Sequence, residues 1–277
     1  MKNNNKFRLD VWGAITLGTI ALYALFLLYP MAYLIRQSVL DPDTGGFTLA
    51  YFTKFFSKSY YFDTLINSFK VSITATVLSI AIGTPLAYLF TIFKIKGKSV
   101  LNILIVVASM SAPFIGAYSW ILLLGRSGVI TAFFKNLGIA IPDIYGFGGI
   151  VLVMTLQLFP LVFLYAKGAL KNIDNSLIEA AENLGCSGIV CFFKVVVPLI
   201  MPTLLAAALL VFMRSFADFG TPMLIGEGYR TFPVVLYTEF INEVGGSDGF
   251  AAAIAVMAIV VSTLVFPVSY THLTLPT

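Results

Sequence analysis

Six long apolar stretches constrain the fold of this chain more than any other feature. Each is near or above the length of about 20 helical residues that crosses a hydrocarbon core of about 30 Å. Helices are expected, because lipid cannot satisfy the backbone of an open strand and no period-two alternation indicates a closed barrel. The predicted spans are residues 11–35, 65–93, 100–124, 149–166, 202–225 and 250–267.

The composition agrees with an all-α polytopic membrane domain over residues 1–267. Hydrophobic residues make up 59% and charged residues 11% of the 277 residues, whereas a soluble domain carries about 25% charged residues. A soluble protein of this size could not cover its surface with so few charges. We therefore expect membrane lipid, and no nucleic acid, around this domain.

The distribution of lysine and arginine predicts the orientation of the domain. The compact run from Lys94 to Lys98 places three lysines in one short loop, and Lys167 and Lys171 open a later loop on the same side. Short loops rich in basic residues stay in the cytoplasm. The N-terminus and the loop at residues 167–201 are therefore predicted to be cytoplasmic.

A spaced pattern in that cytoplasmic loop predicts a helix that is offered to a soluble partner. The pattern is Glu179-Ala180-Ala181, three residues, Gly185, nine residues, and then Val195-Val196-Val197-Pro198. Residues 172–185 read as a helix, capped by Asp174 or Asn175 and ended by Gly185, which tolerates the left-handed conformation. A second short helix is expected at residues 187–195, with Pro198 marking the return to the membrane.

This spacing resembles the EAA loop of binding-protein-dependent ABC importer permeases of type I, with valines where that family has isoleucine and leucine. The resemblance implies that the helix fits a cleft on a separate ATPase subunit. Coupling to that subunit would fall to Glu179, Ala180, Ala181, Gly185 and Pro198. ATP and Mg²⁺ would bind that partner, because this chain has no Gly-x4-Gly-Lys-Ser/Thr motif, and no enzymatic activity or cofactor is expected of the chain itself.

Two charged residues lie within the fifth predicted span. Arg214 and Asp218 are four residues apart, so a continuous helix would place them on one face. Charges within a bilayer are costly and usually face a protein interior or an aqueous path. The pair is therefore expected either to neutralise itself or to line a translocation path or gate, together with Phe219 and Gly220.

The stretch Ala217-Asp218-Phe219-Gly220 resembles a segment of ferric-iron-type permeases. The resemblance implies ferric iron as the first substrate to consider, with polyamine, phosphonate and thiamine as alternatives among related permeases. A substrate-binding protein outside the membrane would supply specificity. The other partners implied are ABC ATPase subunits and a second permease half or a homodimer mate.

Ferric-type permeases often carry two six-helix halves, and this sequence resembles the first. The sixth span is expected to end near Phe266-Pro267. Residues 268–277 are expected to be a non-native tail that continues neither a helix nor a second half, so His272 is not read as a ligand. Cys186 and Cys191 are expected to be reduced structural thiols.

Two other classes of protein fit the sequence less well. An ion-coupled secondary transporter would require several membrane-embedded acids or inverted broken-helix repeats, and only Asp218 qualifies. A polytopic membrane enzyme would require a cluster of paired acids, histidines or an activated serine, and none is visible. Dependence on ATP rather than on a proton gradient separates the leading hypothesis from the first alternative.

Overall fold

The computed structural model describes residues 11–41, 44–93, 95–110, 112–139, 142–186, 188–241 and 248–273, with the side chains of the last helix described through Leu264. Within these residues the chain is helical apart from loops and one isolated antiparallel bridge between Leu40 and Phe47. The predicted all-α polytopic fold is confirmed.

Twelve helices occupy the described part of the chain. They are α1 (Val11–Ser38), α2 (Ala50–Ser57), α3 (Ser59–Ile92), α4 (Lys98–Ser109), α5 (Pro113–Leu124), α6 (Val129–Asn136), α7 (Phe147–Lys171), α8 (Asn175–Asn183), α9 (Gly188–Ala217), α10 (Gly220–Ile225), α11 (Phe232–Ile241) and α12 (Asp248–Leu273). Five helical segments among the described residues are long and apolar enough to cross a membrane: α1, α3, the segment Phe114–Asn136, α7 and α9. The described apolar parts of α4 and α12 are shorter.

The chain divides into two compact units. The smaller comprises the residues up to 58 together with residues 239–260, and the larger comprises residues 59–238 and those after 260. In the smaller unit, Phe55 of α2 and Phe250 of α12 are fully buried, and the Lys54 Nζ lies 4.1 Å from the centre of the Phe250 ring.

The larger unit is built on α3, α7 and α9, which pack on one another along their lengths. α3 and α7 approach each other closely at Gly83, where an added Cβ would lie 2.8 Å from the Val162 Cβ and 2.9 Å from the Phe159 carbonyl oxygen. Glycine is therefore the residue that allows this helix crossing. Around it, an apolar cluster that includes Phe90, Phe163 and Phe192 fills the end nearer to α8.

Two helices contain π-helical turns, and both turns precede a proline. In α1 the turn is Ala24–Leu28 before Pro30, and in α9 it is Phe192–Val196 before Pro198. A proline ring has no N–H and clashes with the carbonyl four residues earlier. That carbonyl lies inside the wider turn in both helices, so each helix continues past its proline.

Pro198 therefore does not separate a short helix from the fifth span. The prediction of a second short helix at residues 187–195 is wrong, because α9 runs without a break from Gly188 to Ala217. Residues 188–195 and the membrane helix are therefore parts of one continuous helix.

Two predicted spans are interrupted. The stretch 100–124 forms α4 and α5, with Ala112 extended at ψ 141° because it precedes Pro113. The stretch 202–225 is broken after Ala217, where Asp218 has an extended backbone with φ −74° and ψ 121°. A hydropathy average does not reveal either helix break, because the residues on both sides of each break are apolar.

The end of the sixth helix also differs from the expectation. The backbone of α12 continues in a helix to Leu273, so the prediction that residues after 267 do not continue a helix is wrong. Residues 274–277 lie outside the described residues.

Candidate functional site

The predicted cytoplasmic helix is present as α8, and Asp174 is the residue that caps it. The Asp174 Oδ1 accepts a hydrogen bond from the Ser176 backbone N–H at 3.0 Å. The backbone hydrogen bond from Ser176, followed by one from its side chain, lowers the pKa of Asp174 below its ordinary value. The carboxylate also faces the positive end of the helix dipole, so its charged form stabilises the start of α8.

Gly185 ends α8 in the left-handed conformation, with φ +84°. The Cys186 N–H donates to the Ala181 carbonyl at 3.0 Å, and the Leu184 N–H donates to the Ala180 carbonyl at 3.2 Å. The first bond is the one that defines a Schellman ending, with Gly185 in the position that requires positive φ. The spacing from Ala181 to Gly185 therefore has a local structural reason.

The side of this loop that faces away from the membrane helices is exposed and partly apolar. Glu179, Ala180 and Gly185 are exposed and Ala181 is half-buried. Large apolar side chains are exposed beside them, with Leu184 at 89% and Ile189 at 77% of full exposure. Small alanines and exposed aliphatic groups form a surface against which a partner protein can pack closely. Pro198 is also exposed, two residues after the π-helical turn of α9.

The inner side of the loop is anchored in the larger unit. Ile173 and Ile178 pack against the apolar cluster that contains Phe163, Phe192 and Val196. The Phe192 ring lies 4.7 Å from the Tyr88 ring, centre to centre. A force applied to α8 is therefore passed directly to α3, α7 and α9. Cys191 is buried and Cys186 half-buried in this region, and neither forms a disulfide within the described residues.

At the far end of α9, Asp218 caps the short helix α10. Its Oδ1 accepts from the Gly220 N–H at 2.9 Å, and its Oδ2 accepts from the Thr221 hydroxyl at 2.7 Å. These donors lie in the first turn of α10 and would otherwise lack partners. The break after Ala217 is stabilised by this cap.

The expected pairing of Arg214 with Asp218 is wrong. The helix ends between the two residues, so they do not share a face, and neither forms an ion pair within the described residues. The carboxylate of Asp218 is instead committed to the amides and hydroxyl of α10. Arg214 is left exposed, with its side chain lining a cavity.

Two adjoining cavities lie where the two helix breaks meet. Their volumes are about 520 and 420 Å³, and the Ser109, Gln157, Leu158 and Arg214 side chains line both. The Phe114 ring, just after the first break, lies 5.1 Å from the Phe219 ring in the second. The larger cavity is also lined by Ala217, Asp218, Phe219 and Gly220. The structure thus brings together all four residues proposed for the path.

Sequence reasoning missed Gln157 and Ser109 in this site. The Gln157 Nε2 is buried with no hydrogen-bond partner among the described residues, although an unsatisfied buried amide is costly. A glutamine inside the apolar run Thr155-Leu156-Gln157-Leu158 was the available signal. The exposed guanidinium of Arg214, which lines the same cavity, can hold a polar or anionic group.

A second missed feature joins three loops at the other end of the larger unit. The Arg126 Nε lies 3.0 Å from the Asp143 Oδ2, and the Arg126 Nη2 lies 2.8 Å from the Glu227 Oε1. The Gly146 N–H also donates to the Ile225 carbonyl at 2.9 Å. Because the three charged side chains are largely exposed, the pairs fix loop geometry more than they stabilise the fold.

Comparison with known proteins agrees with this arrangement. Residues 45–274 match the family described as binding-protein-dependent transport system inner membrane component. The chain is 28% identical over 276 residues to the ferric transport system permease protein FbpB of Actinobacillus pleuropneumoniae, covering 98% of this chain and 39% of that relative. The chain thus spans about two fifths of the length of its ferric-type relative.

A second relative is matched along nearly its whole length. The spermidine/putrescine transport system permease protein PotB of Haemophilus influenzae is 27% identical over 274 residues, covering 95% of this chain and 93% of that relative. Among solved structures, a bacterial alginate ABC transporter in complex with an alginate-bound periplasmic protein contains a chain with the same fold. Its TM-score is 0.79 at 16% identity, with 94% of this chain and 92% of that chain covered.

The family match confirms the resemblance that the loop spacing predicted. It covers α8, both helix breaks and the cavities between them. The chain belongs to the family of inner-membrane components of binding-protein-dependent transport systems, the permeases of ABC importers.

Proposed function

We propose that this chain is the translocation subunit of an ATP-driven importer, and that α8 is the element through which a separate ATPase subunit drives it. The observation that carries the proposal is the geometry of α8. Its ends are fixed by Asp174 and Gly185, its outer side is exposed, and its inner side is packed into the membrane helices. The lysines at residues 94–98 and 167–171 support a cytoplasmic position for this loop.

The connection from coupling loop to cavity is a single helix. α9 begins at Gly188, just after α8, and ends at Ala217, which lines the larger cavity. A continuous helix can carry a displacement from one end to the other. Movement of the loop against the ATPase subunit would therefore shift Arg214 and the break at Asp218, which changes access to the cavity.

The proposed substrate is ferric iron, carried as a neutral or anionic complex. The similarity to a ferric transport permease supports iron as the substrate. The charges that line the cavity favour a neutral or anionic iron complex over a bare cation. The Asp218 carboxylate is occupied by α10, whereas the Arg214 guanidinium is not paired within the described residues. An unneutralised positive charge repels a bare cation and attracts an anion.

The PotB relative favours a second candidate, a polyamine, because the match covers nearly the whole of that protein. A polyamine carries several positive charges, so its passage beside Arg214 would be opposed. The two candidates therefore differ in the sign of charge that the cavity should prefer.

The first experiment is co-purification of the chain from membranes that contain its ATPase and binding protein. Gly185→Asp should lose the ATPase while remaining in the membrane at normal abundance. Gly138→Asp is a matched control, because Gly138 also has positive φ (+75°) and open space around its Cβ position but lies far from α8 in the sequence. Equal retention of the ATPase by wild type and Gly185→Asp would contradict the proposed docking.

A further inference from the structure

A third cavity, of about 270 Å³, lies between the start of α4 and the end of α7. Three lysines line it, together with polar side chains on the same helices and on α3. The lining includes Lys98, Ser99, Asn102, Lys167, Lys171 and Thr91. No acidic residue lines this cavity among the described residues, so its walls carry three positive charges and no negative one.

The three lysines lack ionic partners within the described part of the chain. Lys167 is half-buried, donates a hydrogen bond from its Nζ to the Asn102 Oδ1, and lies 5.3 Å from the centre of the Phe163 ring. Neither contact supplies a negative charge. Lys98 and Lys171 form no ion pair there either. Three like charges around one cavity repel one another, so an anion bound between them would remove an unfavourable interaction.

The backbone adds to the positive potential. Gly97 adopts φ +78° at the N-terminus of α4, and the twelve-residue helix begins at Lys98, beside the cavity. The first-turn amides of a helix attract negative groups. Ser99, the second residue of α4, also lines the cavity. Lysine ammonium groups, a hydroxyl and helix amides are the donors that bind the oxygens of a phosphate.

We propose that this cavity binds the phosphate of an anionic phospholipid. The inference rests on the proposed cytoplasmic position of the loop at residues 167–201. The cavity lies at the end of α7, a helix long and apolar enough to cross the membrane, where lipid headgroups are found. Val100, Leu104 and Val107 extend from it along one exposed face of α4, at 58–62% exposure, which gives an acyl chain an apolar surface.

A lipid in this position would connect the membrane to the coupling loop. Lys171 is the last residue of α7 and is three residues before Asp174, the cap of α8. Lys98 begins α4, so one phosphate would link the ends of two helices beside the coupling helix. Basic pockets between membrane helices on the cytoplasmic side are known to accept anionic headgroups.

The test measures lipid binding to the complete permease complex in nanodiscs of phosphatidylcholine with and without phosphatidylglycerol. Native mass spectrometry gives the number of phosphatidylglycerol molecules retained by wild type, by Lys98→Gln/Lys171→Gln and by Lys96→Gln. Lys96 is the matched control, since it is exposed in the same turn but does not line the cavity. The double variant leaves Lys167 and its contact with Asn102 intact, which protects folding.

We expect the double variant to bind phosphatidylglycerol about thirtyfold more weakly than wild type, at about 1 kcal/mol for each lysine. Lys96→Gln should bind as wild type does. Unchanged affinity in the double variant would overturn the proposal. Displacement of the lipid by millimolar inorganic phosphate would assign the site to free phosphate, and would overturn the lipid source.

Loss of the ATPase subunit from the double variant, with lipid retention unchanged, would assign the lysines to an acidic partner protein and would also overturn the proposal. Gly185→Asp separates this question from the proposed function. That variant should lose the ATPase and keep the lipid, so failure of coupling and failure of the lipid site give different results.

Discussion

The Thr221 hydroxyl donates a hydrogen bond of 2.7 Å to the Asp218 carboxylate, across the break between α9 and α10. The same carboxylate accepts from the Gly220 N–H. Asp218 is thus a helix cap placed at the edge of the cavity. Its carboxylate is occupied by hydrogen bonds within this cap. Arg214 lines the same cavity and has no ion-pair partner among the described residues.

This relationship predicts a specific order of stability among variants. Asp218→Ala should lower the free energy of unfolding by about 1 kcal/mol, the usual cost of a lost cap. Asp218→Asn should cost less, because asparagine also accepts a hydrogen bond from a first-turn amide. Thermal unfolding in detergent measures both.

A double-mutant cycle with Arg214→Ala provides the control for that prediction. Because the two residues form no ion pair, the effects of Arg214→Ala and Asp218→Ala should add. A coupling energy well above about 0.5 kcal/mol would indicate that the two side chains do form an ion pair. That result would contradict helix capping as the main role of Asp218.

The crossing of α3 and α7 gives a second prediction. Gly83→Ala would place a methyl group 2.8 Å from the Val162 Cβ and 2.9 Å from the Phe159 carbonyl oxygen, so the two helices must separate. Overpacking of this kind typically costs about 1–3 kcal/mol. Gly168→Ala on α7 is the control, because its added Cβ meets nothing within 4 Å. Equal unfolding temperatures for the two variants would mean that the crossing is looser than described.

Gly185 gives a third prediction that separates conformation from crowding. An added Cβ at this position meets nothing within 4 Å, but φ is +84°. Among uncharged substitutions, any loss of coupling should therefore follow backbone preference. ATP-driven uptake should decrease from wild type to Gly185→Asn to Gly185→Ala, since asparagine tolerates the left-handed region better than alanine does. The reverse order would indicate that side-chain size controls docking.

Asp174 gives a prediction about pH. Its pKa in the folded protein is lowered by the hydrogen bonds from Ser176, so its unfolded pKa is the higher of the two. The stabilisation is present above the unfolded pKa and is lost as pH falls through the folded pKa. Amide exchange at residues 175–178, corrected for intrinsic rates, should therefore become faster at acidic pH. Asp174→Asn should remove this dependence, and an unchanged pH profile in that variant would contradict the role of the carboxylate.

The ends of α8 could be predicted from the sequence because caps are local. Asp174 and Gly185 act through hydrogen bonds and backbone angles within a few residues of themselves. The helix breaks at Ala112 and Asp218 were missed because hydropathy averages over a window longer than a break. Local signals existed, since Ala112 precedes a proline and Asp218 stands three residues before a threonine.

The contents of the cavities could not be predicted, because they depend on how distant segments meet. Ser109, Gln157 and Arg214 are separated by about fifty residues from one to the next and come together only through the packing of α4, α7 and α9. The lysine cavity has the same origin. In the sequence, Lys98 contributes to the charge pattern that predicts orientation in the membrane. Its proximity to Lys167 and Lys171 follows only from the fold.

The charge of Arg214 gives the last prediction and separates the two candidate substrates. If the cargo is a neutral or anionic ferric complex, Arg214→Glu should reduce ferric uptake strongly, because a negative charge would repel it at the cavity wall. Arg36→Glu is the control, since Arg36 is exposed at the end of α1 and does not line this cavity. Uptake of labelled iron and of labelled spermidine is measured in cells that contain the cognate binding protein. Ferric uptake unchanged in Arg214→Glu, with spermidine uptake increased, would identify the path as one for cations and make the polyamine the substrate.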